Sequence, residues 1–233
     1  MELTYFTHST CLLKIREYSL LIDPFFTENP FFQEKEKTLL REDFFSIKKL
    51  EYILITHAHY DHVCDVEFIA RRFNSLIISN YEISSYYDKI GLQTYGINYG
   101  SFISFPFGYI KYVWASHSSV FKDGTYGGNP GGFLLHTEKG NIYISGDTSL
   151  TYEMKLIPTF GKIKISILPI GGIYTMDIEE AIIASSFLKC DKILGVHYNT
   201  FKPIQINKKL AIKRFSEKKK KLFLLEKGEK ILF

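Results

Sequence analysis

The sequence predicts an α/β protein, a single domain of β-sheets with helices outside them. Three observations carry this prediction. Short apolar, β-branched runs bounded by Gly, Pro, Asn and Asp recur from one end of the chain to the other. A few segments with helical spacing fall between them, in an order of strands, helix, strand, helix, strands, then strand–helix–strand–helix–strands. No low-complexity linker, abrupt composition change or short-period repeat divides the 233 residues.

Strands are expected at 3–6, 11–15, 19–22, 52–55, 76–79, 101–105 and 109–115, then at 132–136, 142–145, 163–168, 192–196, 222–225 and 230–233. Pro106-Phe107-Gly108 and Glu138-Lys139-Gly140-Asn141 carry the chemistry of hairpin turns. A helix over 65–73 follows from Val66, Ile69, Ala70 and Phe73, which share one helical face. Asp177 followed by Glu180 has the form of a capping box, and Ile178, Ala181, Ile182, Ser185 and Leu188 make the stripe behind it. Further helices are expected over 207–219 and 83–90.

Composition narrows the class. Hydrophobic content of 45% and charged content of 23% are those of an ordinary globular chain, long enough to bury a core without disulfides. Three scattered cysteines, Cys11, Cys64 and Cys190, form no CxxC pair and predict a reduced, cytoplasmic setting. The opening MELTYFTHST lacks a basic stretch followed by an apolar run, so no signal peptide is expected, and no run reaches the roughly 18 apolar residues of a membrane span. Charge is uneven: residues 202–233 hold eleven Lys or Arg against three Glu, in a chain whose net charge is +4. Without interleaved aromatics to stack bases, that basic end reads as a solvated helix end, and nucleic acid is not expected as a partner. The composition is compatible with homo-oligomers.

The chemistry collects at strand ends. The stretch at 52–55 runs out into His57, His59, Asp61 and His62; 109–115 runs out into His117; 142–145 into Asp147; and 192–196 into His197. Four strands therefore each deliver metal-ligand residue types at their C-terminal ends, where layered α/β folds gather distant sequence into one crevice. His57 and His59 are two apart, so an extended segment points both rings the same way. Imidazole and carboxylate without thiolate suit Zn²⁺, with Mn²⁺ or Fe²⁺ as alternatives. Cys64 reads as a small buried hydrophobe, and His136 as a histidine satisfied within its strand. The glycines of YGGNPGG (126–132) precede a strand, so they are no phosphate cradle, and the absence of G-x-S-x-G disfavours a catalytic serine.

His57-Ala-His59-Tyr-Asp61-His62, followed by His117, Asp147 and His197, resembles the ligand series of the metallo-β-lactamase superfamily. ASHSS (115–119), GDTSL (146–150), LPIGGIYTM (168–176) and VHYNTF (196–201) are similar to one branch, the uncharacterised metal-dependent hydrolases related to ascorbate-6-phosphate lactonase. The resemblance covers nearly the whole chain. It implies a four-layer αββα sandwich and two divalent ions, with His57, His59 and His117 on one, Asp61, His62 and His197 on the other, and Asp147 bridging. Such a pair of ions shares a hydroxide that attacks an ester or phosphoryl centre. Asp61 would orient this nucleophile and carry its proton.

The expected activity is hydrolysis of an ester or lactone bond in a small, anionic molecule. A phosphodiesterase and a non-catalytic metal-retaining binding protein are the competing readings. His8, Tyr60, Asn199 and Thr200 are candidate substrate contacts, and Gly171 and Gly172 could allow close backbone approach beside the site. Two positions depart from the branch: Tyr60 and Thr7 stand where small residues, often glycine, are usual.

Overall fold

The computed structural model describes residues 1–29 and 47–233. They divide into two compact units. The first comprises Met1–Ile97, Ser119–Asn129 and Glu226–Leu232; the second comprises Asn98–Ser118 and Pro130–Leu225, with Phe233.

The first unit is built on a seven-stranded mixed sheet. It contains β1 (Glu2–Thr7), β2 (Thr10–Ile15), β3 (Tyr18–Ile22), β4 (Tyr52–Leu54), β5 (Leu76–Asn80), β6 (Thr94–Ile97) and β14 (Lys230–Leu232), in the order β14-β1-β2-β3-β4-β5-β6. Pairing is antiparallel from β14 to β3 and parallel from β3 to β6. The parallel crossovers supply helices α1 (Tyr60–Val63), α2 (Val66–Phe73) and α3 (Tyr81–Asp88). Val66, Ile69 and Ala70 of α2 join Ile83 and Tyr87 of α3 against Leu21, Ile53 and Ile77 of the sheet. Asn74 at φ +53° stops α2, and the Asn80 side chain caps α3 by accepting from Ile83 N–H.

The second unit repeats the plan with β7 (Ile103–Phe105), β8 (Gly108–Trp114), β9 (Gly131–Thr137), β10 (Gly140–Ile144), β11 (Ile163–Pro169), β12 (Lys192–Val196) and β13 (Lys221–Phe223). The order is β13-β12-β11-β10-β9-β8-β7, antiparallel from β7 to β10 and parallel from β10 to β13. Ala181, Ile182 and Ala184 of α4 (Ile178–Phe187) and Ala211 and Phe215 of α5 (Lys208–Glu217) share a core with Leu134, Tyr143, Leu168 and Ile193. Central strands such as TCLLKI and GGFLLHT are buried at almost every residue, so both of their faces are covered.

All thirteen expected strands are present, with shifts of one or two residues at most ends. β6 was not expected. It is a four-residue edge strand, partly exposed and interrupted by Gly96, and pairing with β5 makes it a strand where its composition does not. The single turn α1 and the 3₁₀ turns Tyr152–Lys155, Ile157–Phe160 and Lys202–Ile204 escape for another reason: they are too short to show a period. The basic end is a helix terminus, as read, but Lys220 is not solvated: its ammonium reaches Cys190 O and Asp191 Oδ1, both at 3.3 Å. No helix among the described residues is long and apolar enough to cross a membrane.

Asp177 and Glu180 make the reciprocal capping box at the start of α4. Asp177→Ala removes one of its two bonds and should cost about 1 kcal/mol. A urea titration should show this as a lower midpoint with an unchanged m-value.

Candidate metal centre

In the first unit, β3 ends directly in Asp23, held at φ +44° and buried. Its neighbour β4 runs out through Ile55 and Thr56 to His57. The Asp23 carboxylate accepts three hydrogen bonds: Thr56 N–H at 2.8 Å, Thr56 Oγ1 at 2.7 Å and His62 Nδ1 at 2.9 Å. A hydroxyl carries one proton, and Thr56 gives it to Asp23. Its contact with His57 Nδ1 at 3.0 Å is then one in which the hydroxyl accepts. His57 therefore carries its proton on Nδ1, and so does His62. With Nδ1 engaged in this way, Nε2 is the nitrogen each ring can offer to a metal ion.

The rest of the loop is held from below. Ala58 N–H donates to Ser119 Oγ at 3.1 Å, and that hydroxyl donates to Gly127 O. A Cβ on Gly127 would lie 2.3 Å from Ala58 Cβ, so only glycine lets this support approach. His57 Nε2 and His59 Nδ1 converge to 3.1 Å. Asp61 Oδ2 accepts from His8 Nε2 at 3.0 Å and lies 3.7 Å from His62 Nε2.

In the second unit, β8 runs out to Ser116 and His117, β10 to Gly146 and Asp147, and β12 directly to His197. Asp147 Oδ2 lies 2.9 Å from His197 Nε2 and 3.7 Å from His117 Nε2. Thr148 ties two of these loops together: its hydroxyl accepts from Ser116 N–H at 3.0 Å and donates to Ser149 O at 2.7 Å. His197 sits at φ +54°, and a Cβ on Gly171 would meet its carbonyl oxygen at 2.2 Å. The close approach expected of Gly171 is thus to the His197 backbone.

The metallo-β-lactamase superfamily model matches residues 3–190. The chain belongs to this superfamily. Within it, a "UPF0173 metal-dependent hydrolase" of Flavobacterium johnsoniae is 50% identical over 231 residues, covering 99% of each chain. One from Christiangramia forsetii is 47% identical over the same span. Among solved structures, Igni18, a metallo hydrolase of Ignicoccus hospitalis, is 33% identical with a TM-score of 0.87, covering 99% of this chain and 97% of its own. The fold is the metallo-β-lactamase fold, in keeping with the α/β class expected, and the family is that of the metal-dependent hydrolases.

The donor set fits a divalent cation. Two nitrogens bonded to one tetrahedral ion at about 2.0–2.1 Å stand about 3.3 Å apart, close to the 3.1 Å between His57 Nε2 and His59 Nδ1. His62 Nε2 and Asp61 Oδ2 lie 3.7 Å apart, close enough to bind one cation together. Cys64 takes no part: its thiol donates to Asp65 Oδ2 at 2.9 Å, and burial together with the Asp65 charge pushes its pKa far up. It is hydrogen-bonded and only partly buried, which corrects the expectation of a simple buried hydrophobe. Asp65 also takes the Phe26 and Thr27 amides, so it braces the loop after β3.

The other expected contacts are placed as follows. His8 is the positive-φ residue of the β1–β2 turn, 1% exposed, with its ring against Phe25 and His62. Thr7 uses its hydroxyl to accept from Asn29 Nδ2 at 2.9 Å. The Tyr60 ring lies under Lys122 Nζ at 4.2 Å; partial burial and a hydrogen bond to Glu28 raise its phenol well above the usual tyrosine range. Asn199 Oδ1 accepts from Ile206 N–H at 2.7 Å, and the buried Thr200 donates its hydroxyl to Tyr198 O at 3.4 Å. His136 bonds Asn141 Oδ1 at 2.8 Å within its hairpin, as expected.

Asp23, Thr56 and Thr148 were not singled out in the sequence. Asp23 had a signal: it follows an expected strand directly, as His197 does, and the rule applied to four strand ends covers a fifth. Asp23→Ala strands the Thr56 and His62 donors and frees both imidazoles to change tautomer. It should weaken metal binding about 10–100-fold, read by competition with a chromophoric chelator, with far-UV circular dichroism unchanged.

Proposed function

We propose that the chain is a binuclear metal hydrolase that cleaves an ester or lactone bond in a small, anionic molecule, both units acting as one domain of 1–233. The observation that carries this reading is the Asp23–Thr56 chain, which engages Nδ1 of His57 and His62 and turns their Nε2 atoms toward a second nitrogen and a carboxylate. Rings oriented in this way are what a metal site needs before its ion arrives.

Following the superfamily pattern, His57, His59 and His117 would hold one ion, Asp61, His62 and His197 the second, and Asp147 both. Zn²⁺ is the first choice for this nitrogen-rich set, with Mn²⁺ or Fe²⁺ as alternatives. When bound, the ions supply acidity to a water and polarise the scissile carbonyl.

The chain's own residues do the rest. Asp61, partly open to solvent, is fixed by His8 at Oδ2 and would receive the proton lost by the attacking water. Buried His8 is a positioning residue in this reading, holding the carboxylate in one rotamer. Thr148 keeps the His117 and Asp147 loops in register, and Gly171 sets the height of His197. Tyr60, Asn199 and Thr200 remain the candidates for substrate contact, Tyr60 through its ring because its phenol is engaged by Glu28. Three free cysteines accord with a cytoplasmic site of action.

Purified protein should carry close to two divalent ions per chain by elemental analysis, and His57→Ala should lower that content. A panel of lactones, carboxylic esters and phosphodiesters should show turnover that chelation abolishes and added Zn²⁺ or Mn²⁺ restores. Wild-type protein that stays metal-free after reconstitution would overturn the proposal.

A further inference from the structure

The segment Gly171–Met176 stands on the backbone of His197 and of Thr148, the residue after Asp147. At one foot, Gly171 lies against the His197 carbonyl. At the other, Met176 N–H donates to Thr148 O at 2.9 Å, one residue from Asp147. Between them the chain makes a tight turn, closed by Gly172 N–H to Met176 O at 3.0 Å. Both feet are buried, Met176 fully and Thr175 at 7% exposure. The tip is the reverse: Ile173 is 74% exposed and Tyr174 56%.

Ile173 also sits at φ +60°. A β-branched side chain in the left-handed region is a strained choice, which Gly, Asn or Asp would relieve. Fold stability therefore explains neither the conformation nor the exposure of this isoleucine, and strain of this kind collects where a ligand is met.

We propose that Ile173 and Tyr174 form an apolar lip beside the Asp147–His197 half of the centre and select substrates bearing an aliphatic group next to the scissile carbonyl. This inference rests on the hydrolase reading above and narrows its substrate class to amphiphilic acyl compounds. The lip acts in binding and takes no part in bond cleavage.

The test uses straight-chain carboxylates as product analogues, so it needs no knowledge of the true substrate. Acetate, butyrate and hexanoate are titrated calorimetrically into metal-loaded wild type and Ile173→Gly, with metal content measured on both. Each buried methylene strengthens binding about threefold to fourfold. Over this series, wild-type affinity should rise at least ~10-fold even with partial burial. Ile173→Gly should cut the hexanoate-to-acetate ratio to below about threefold, while loss of strain raises the thermal midpoint by about 2–4 °C. A flat series for metal-loaded wild type, or an unchanged ratio in the variant, would overturn the lip. A chain that takes up no metal would fell the hydrolase reading, and the lip with it.

Discussion

The Asp23 carboxylate organises the histidine loop. It takes up the amide and hydroxyl of Thr56 and the Nδ1 proton of His62, and through Thr56 it dictates the proton position on His57. A charged group 1% exposed is costly unless its acceptor sites are filled, and here three donors from the loop fill them. The loop is thereby held to the end of β3 by the same bonds that fix the imidazole tautomers. Thr10 locks the other side of this turn, donating to Asp23 O at 2.7 Å and accepting from Phe25 N–H at 3.0 Å.

Both units use one architectural solution. Each sheet changes from antiparallel to parallel pairing, at β3 in the first unit and at β10 in the second. The residue run beyond that strand carries a carboxylate, Asp23 in one and Asp147 in the other. At a parallel junction, neighbouring strands end on the same side, so polar side chains following them meet. Close backbone contact at Gly127 and Gly171 then sets the height of the histidine-bearing segments, and a single methyl group at either place would displace them.

Much of this was legible in the sequence because it is written in local patterns. Alternating and continuous apolar runs marked the strands, and Asp177 with Glu180 marked the start of α4. The concentration of His and Asp just past strand ends marked side chains that come together, His57 with His59, Asp61 with His62 and Asp147 with His197. What escaped was set by tertiary contact. β6 owes its state to β5, and the supports at Ser119, Gly127 and Thr148 act across dozens of residues on side chains with no distinctive spacing. Asp23 lay between these cases: its position beyond a strand was visible, but its partners 33 and 39 residues away were not. The strain at Ile173 is a backbone property that no side-chain pattern announces.

A cation held only by the folded state would stabilise it by mass action. If Asp23 pre-sets the imidazole cluster, the rings are oriented before any ion binds. Long-range ¹H–¹⁵N correlation spectra of the imidazoles in metal-free protein near neutral pH test that claim most directly. They should show His57 and His62 as neutral Nδ1–H tautomers before any metal is added, with metal perturbing chiefly their Nε2 resonances. Nε2–H tautomers, or rapid exchange between the two forms, in the metal-free protein would contradict it.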